Sequence, residues 1–389
     1  MKYSKTLFFA MVLLLTFFSC KKEALVESDS SLIVYSFPTS KCVVTPDNGF
    51  LLTNGVLLTG TTSISKVDVN GNLLWTKSSS ADDFLPLRNN EFISCEDKAV
   101  SGNSFYIALN RLNTQGDVVF TKKLFMSDLS ELSNPKAAEL STGDIMCVGT
   151  SVSGADSVMR VIKTDKNGNQ FWDKTIKLST NFSVISKLME VNSNGDIIVI
   201  GNTGKVNFAT KIYYAMIDSS GTLLWEKYKG FGKWENYPTD VHAINSNEYV
   251  ITGYYDVSTT SDYNYQFYAY KINNAGDSTN LYVAGGSKQD YCISSTLVPG
   301  SNDLIMVGME GRSNKTTDLN LSSIKIVTVN SSLSSVITDK TYAQLLECSA
   351  LSAIYNSDGS LSVIGRKYAY NNTNIEQTFF LKIKPDGSF

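Results

Sequence analysis

The chain has 389 residues, 42% of them apolar and 18% charged, with a formal charge of −3. That balance supports a large packed core and excludes long disordered regions. No block of basic residues is present, so an electrostatic footprint for nucleic acid is excluded as well.

The first element is a targeting segment. Lys2 and Lys5 precede an apolar run from Leu7 to Phe18. The run is shorter than the roughly twenty residues of a membrane-spanning helix, and fits the core of a signal peptide. It ends in "FFSCKKE", where Ser19 followed by Cys20 resembles the lipobox of bacterial lipoproteins. The resemblance implies a signal peptide at 1–19, lipidation at Cys20 and a polar tether over 20–31. Acyl chains on Cys20 would hold the protein on a membrane at about 0.8 kcal/mol per buried methylene. The absence of aspartate after the cysteine implies, on the same resemblance, the outer membrane of a cell envelope.

The run "LIVYSF" at 32–37 reads as a strand that belongs to no unit of its own. From there a repeat begins. "VDVNGNLLWTKS" at 67–78 returns as "TDKNGNQFWDKT" at 164–175 and "IDSSGTLLWEKY" at 217–228. Gly71, Gly116, Gly168, Gly221, Gly276 and Gly387 mark the turn in six copies, and Leu333 takes the place in a seventh, "VNSSLSSV". A second series of polar turns leading into β-rich runs precedes them, among them "DNGFLLTN", "TGDIMCVG" and "NGDIIVIG". A period of about fifty residues made of strands is the mark of a propeller.

The spelling has a physical basis. Asp and Asn bond their own backbone two residues on, and Gly accepts positive φ, so Asp-x-x-Gly joins two antiparallel strands. The ring four residues later (Trp75, Phe120, Trp172 and Trp225) is expected to fill the gap between neighbouring sheets. Repetition at equivalent positions speaks for packing, since a ligand site needs only one copy. The fold expected over 32–389 is all-β: a seven-bladed β-propeller of four-stranded antiparallel blades. The last unit ends too soon for a fourth strand, so the N-terminal strand is expected to supply it and close the ring.

The Asp-x-x-Gly-x-x-x-Trp repeat resembles the tryptophan-docking repeats of quinoprotein-like propellers. That group includes quinone-dependent dehydrogenases and a propeller lipoprotein that helps to assemble outer-membrane barrels. The resemblance implies packed blades and, on the lipoprotein side, a scaffold role in an envelope complex. Those repeats usually carry Thr before the Gly, where this chain has Asn70, Gln115, Asn167, Ser220 and Ala275.

Signs of catalysis are few. The single histidine, His242, reads as structural. There is no Gly-x-Ser-x-Gly elbow and no phosphate loop. No cluster of His or Cys suggests a metal, and Asp68 and Asp165 lack the further acidic residues of a calcium loop. The five cysteines beyond Cys20 have apolar neighbours and read as buried thiols. No cofactor is expected, and the chain is read as no enzyme, although its 37 acidic residues leave room for a carboxylate pair assembled in three dimensions.

The loops carry the binding expectation. In a four-stranded blade the second-to-third loop and the connection to the next blade share one face of the disc. "KGFGKWENYPTD" (229–240) and "YYDVSTTSDYNYQ" (254–266) meet there, bringing Phe231, Trp234, Tyr237, Tyr263 and Tyr265 near one another. Such rings suit stacking on sugars or gripping a peptide. Arg312, Lys315, Tyr368 and Tyr370 belong to long loops of the same face. The expected protein is thus a monomeric, lipid-anchored, non-enzymatic binding module, its loop face turned to a glycan, peptide or envelope protein. The alternative is a scaffold subunit of an outer-membrane assembly complex, and a polysaccharide-active enzyme is the third reading.

Overall fold

Seven four-stranded antiparallel sheets account for all the regular structure among the described residues. The computed structural model describes residues 32–388 apart from 36, 38, 40, 56–61, 80–83, 101–103, 126–132, 154–155, 180–183, 205–208, 233, 259–263, 287–288, 312–321, 347, 369–374 and 385–386. Cys20, Tyr263, Arg312, Lys315 and Tyr370 lie outside the described residues, as do the signal peptide and tether.

Blades one to six run in chain order over 41–79, 84–125, 133–177, 184–229, 236–284 and 290–346. Each winds outward from an inner strand to an outer one. The seventh is composite. Cys348–Tyr355, Leu361–Tyr368 and Ile375–Ile383 form its first three strands, and Leu32–Tyr35 is the fourth. Leu32 pairs with Leu381 and Tyr35 with Thr378, so the first strand of the chain closes the ring against the last.

Both faces of each blade are covered, which explains the continuous apolar runs. In "IIVI" at 197–200 every residue is buried. Ile197 and Val199 pack toward blade three, in one cluster with Val148 and Val161. Ile198 and Ile200 point the other way, to Ile251 and Tyr268 of blade five. Alternation along a strand therefore separates two neighbours rather than core from solvent. The same holds around the ring, down to Phe50 of blade one against Phe380 of blade seven. Each such side chain contributes about 1.5–3 kcal/mol through burial.

The repeat acts where blades meet. In the turn after the third strand of the first five blades, the leading side chain folds over its own backbone: Asp218 Oδ1 accepts from the amides of Ser220 (2.9 Å) and Thr222 (2.8 Å). The same bonds recur at Asp68, Asn113, Asp165 and Asn273. The glycine that follows has positive φ, +83° at Gly221. The ring of the preceding blade lies directly on it. A Cβ at Gly221 would be 2.5 Å from the Trp172 ring, and one at Gly276 2.8 Å from Trp225. The indole N–H of Trp75 donates to the Thr114 carbonyl (3.0 Å), and that of Trp225 to the Asn274 carbonyl (2.8 Å). Glycine is thus required twice, for its φ and for the space it leaves.

Gly143 separates the two requirements. It has φ +82°, yet a Cβ there would meet nothing within 4 Å. Gly221→Ala is expected to cost about 2–4 kcal/mol, combining strain with overpacking, and Gly143→Ala about 1 kcal/mol from strain alone. Urea unfolding of both variants measures the difference; equal costs would mean that the ring contact contributes nothing.

Candidate functional site

Blade five carries the aromatic loops, and a buried asparagine holds them. The Asn236 amide donates to Thr210 Oγ1 (2.9 Å), and its side-chain amide donates to the Thr210 carbonyl (2.7 Å). Its Oδ1 accepts from the amide of Phe231 (2.9 Å). The Thr210 amide in turn donates to the Trp234 carbonyl (3.1 Å). The connection between blades four and five is therefore fixed at both ends.

The predicted rings divide into separate places. Phe231 turns inward, 4.8 Å from the ring of Tyr268 and 5.1 Å from that of Tyr270, and helps to seal blade four against blade five. Trp234 is half-buried on the loop. Tyr237 and Tyr265 come together in a second group with Tyr254 and Tyr291, with centroid distances of 4.9–5.4 Å. Both hydroxyls donate to one oxygen of Glu235, from Tyr237 at 2.8 Å and from Tyr265 at 2.9 Å. Glu235 is 7% exposed. Burial, and then the Glu235 charge, push the Tyr254 phenol up to about 12. Tyr237 and Tyr254 are half-buried, whereas Tyr265 is buried.

From this group the site continues into the channel. The Lys187 ammonium lies 5.0 Å above the Tyr237 ring. Farther along, inner strands of blades four and five bring the carboxyls of Glu190 and Asp240 into electrostatic contact. Burial first, and Asp240 second, raise the Glu190 carboxyl to about 7. Asp240 also accepts from Ser294 Oγ and the Ser295 amide, both at 3.1 Å. His242 Nε2 is 2.8 Å from Ser295 Oγ and 3.7 Å from Asp240 Oδ2. Ser295 is buried and also bonds Thr252 Oγ1 (2.8 Å), so His242 ties blade five to blade six. A carboxyl that exchanges its proton near neutrality beside a second carboxylate is suited to hold or transfer a proton.

Glu235, Lys187, Glu190 and Asp240 were not singled out by sequence reasoning. They stand in runs whose residue types repeat elsewhere in the chain, and only the closing of the ring juxtaposes them. Among the described residues no group of three or more His, Cys, Asp or Glu is placed to hold a metal ion. The five described cysteines are unbridged thiols, Cys42 partly buried and the others fully.

The fold defines the protein as a seven-bladed β-propeller closed by its own N-terminal strand. No protein family and no curated protein matches the sequence. Among solved structures the chain is similar to a polysaccharide lyase at 12% identity and a TM-score of 0.48, covering 93% of this chain and 91% of that one. A variant of the Synechocystis apocarotenoid oxygenase aligns at 11% identity and a TM-score of 0.48, covering 90% and 94%. A eukaryotic initiation factor aligns at 12% and 0.42, covering 90% and 76%. The quinoprotein-like resemblance holds at the level of the propeller fold, and no family model carries it further. The expectation that the chain is no enzyme is corrected here. It rested on missing linear motifs alone. A channel assembles its residues from separate blades, so a missing motif does not exclude catalysis. At these identities and TM-scores the likeness assigns no activity.

The Glu190 shift has a checkable sign. Its carboxyl is raised from 4.5 to about 7 in the folded protein, so stability falls as pH rises across that interval. Glu190→Gln is expected to raise Tm relative to the parent at pH 8 and to leave it unchanged at pH 4, by thermal denaturation. An equal effect at both pH values would contradict the burial of the charge.

Proposed function

We propose that this protein is a lipid-anchored envelope propeller that binds a glycan on its loop-rich face, at the channel mouth over blades four to six. The observation that carries the reading is the tyrosine group fixed on Glu235. Tyr237 and Tyr254 are half-buried, and their rings are locked by packing and, for Tyr237, by the Glu235 bond. Rigid rings with polar tips suit the apolar face and hydroxyls of a sugar, and little ordering entropy is lost on binding.

The direction of the N-terminal strand supports the anchoring. Leu32 lies opposite Leu381, near the end of Ile375–Ile383 that leads into the short turn at Gly387. A tether over 20–31 would leave from the short-turn face, and at roughly 3.3 Å per residue it would reach about 40 Å. The loop face would then point away from the membrane that holds Cys20. Exposed apolar side chains mark the outer rim near the short turns, among them Leu74, Val119, Phe171 and Leu224.

Tyr237→Ala and Trp234→Ala are each expected to weaken glycan binding at least tenfold, as aromatic anchors do. Phe171→Ala, 59% exposed on the opposite rim, should leave it unchanged. A glycan array followed by titration calorimetry reads both. Saturable binding of peptides alone, or glycan binding indifferent to both loop variants, would overturn the reading.

A further inference from the structure

The outer rim carries a second repeated feature, on the side opposite the aromatic loops. In blades one to six the pairing of the outer strand with the third strand skips one residue just after the short turn. In blade one Lys66 pairs with Trp75 and Val67 with Leu73, so Leu74 is left out. The omitted residue is Val119 in blade two, Phe171 in blade three and Leu224 in blade four. It is Thr279 in blade five and Ile337 in blade six. A β-bulge re-aims the side chain of its extra residue. Here the five apolar ones are each 51–59% exposed, and none belongs to an interblade core cluster among the described residues.

Position and charge select what covers them. Each apolar bulge is the second residue of its outer strand. At about 3.3 Å per residue it stands roughly 7 Å from the short turn, within the depth of about 5–10 Å to which apolar groups enter a membrane interface. The chain enters the ring on the same side, where Leu32 lies opposite Leu381. A membrane that holds Cys20 through the stretch 20–31 is therefore within reach of this rim. Basic and acidic side chains are interspersed along the edge. Lys77 pairs with Asp117 at 2.6 Å and Lys227 with Asp277, and Asp68, Asp165 and Asp218 stand in the turns. An edge of this kind suits neutral lipid, since no single sign of charge dominates it.

We propose that this rim docks on a neutral phospholipid surface, with the apolar bulges of five blades entering the boundary between headgroups and acyl chains. The disc then lies with its short turns toward the lipid and its loop face outward. The choice of lipid as the occupant rests on the anchoring reading above. The rim adds what a flexible tether does not supply, a fixed orientation of the loop face. A ring of several shallow apolar contacts, each weak alone, gains by acting together, because the first to enter brings the others to the surface. The glycan reading is independent of the rim, which contains none of the loop aromatics.

The test uses residues 21–389, which keep every strand of the ring and lack the acylation site. Failure of the anchor and failure of the rim are thereby read apart. Phosphatidylcholine vesicles are the probe, in co-sedimentation. Saturable binding is expected, changing less than twofold between about 50 and about 500 mM NaCl. The triple variant Leu74→Ser, Phe171→Ser, Leu224→Ser should bind at least tenfold more weakly. Ile185→Ser, exposed at the loop end of blade four, should bind as the parent does. Thr279→Leu supplies the one polar bulge with an apolar side chain and should strengthen binding at least twofold, a gain that misfolding does not produce. Absence of vesicle binding by the parent would overturn the proposal, as would a triple variant that binds equally well. Binding confined to anionic phosphatidylglycerol vesicles and lost in salt would also overturn it. So would a parent dimer that the triple variant dissolves, which would assign the rim to a second copy of the chain.

Discussion

The contact on which the rest of the molecule depends is an aromatic ring laid on a glycine turn of the next blade. It couples sequence to assembly in one step. The Asp or Asn that opens the turn satisfies two backbone amides, and this sets the chain for positive φ at the glycine. The glycine presents bare backbone, and the neighbouring Trp or Phe covers it. A single blade cannot bury both of its faces, so the stability of each sheet is settled by its neighbours. The docked ring fixes how closely those neighbours stand at the rim, and the interblade clusters fix it nearer the axis.

Ring closure then creates the functional geometry. Seven inner strands converge on one axis, and residues distant in sequence meet there. Glu190 reaches Asp240 and His242 reaches Ser295 only because blades four, five and six stand side by side. The rigid frame also allows the loop face to hold costly arrangements. A nearly buried glutamate accepting two tyrosine hydroxyls requires surroundings that do not yield. Such polar groups cost stability unless they are balanced.

The fold was legible because it is written seven times. Turn residues, ring positions and strand runs agree at separate places, so a single degenerate copy does not hide the period. The missing fourth strand of the last unit and the unassigned "LIVYSF" pointed to each other, and the pairing of Leu32 with Leu381 joins them. The site was less legible. Phe231, Trp234, Tyr237, Tyr263 and Tyr265 share two loops, and the sequence offered them as one patch. Phe231 instead turns into the gap between blades, because Tyr255, Tyr268 and Tyr270 form a slot for it. Whether a ring in a loop faces solvent or a neighbour depends on contacts across blades, which no local pattern encodes. Lys187 and Glu190 were invisible for the same reason.

One interface departs from the pattern twice, and it tests the docking account directly. Between blades five and six the turn position is Leu333, at φ +56° and only 4% exposed, and the ring position is Asn280. The leucine side chain fills the space that the ring takes elsewhere, and the Asn280 amide donates to the Ser332 carbonyl in place of the indole N–H. A double-mutant cycle of Leu333→Gly and Asn280→Trp, followed by urea unfolding, measures whether the two departures are coupled. Each single change should destabilise, the first by emptying a buried site and the second by forcing a ring against leucine. The pair should recover about 2 kcal/mol or more relative to the sum of the two. Additivity within about 0.5 kcal/mol would show that ring and turn are chosen independently, and would contradict the account.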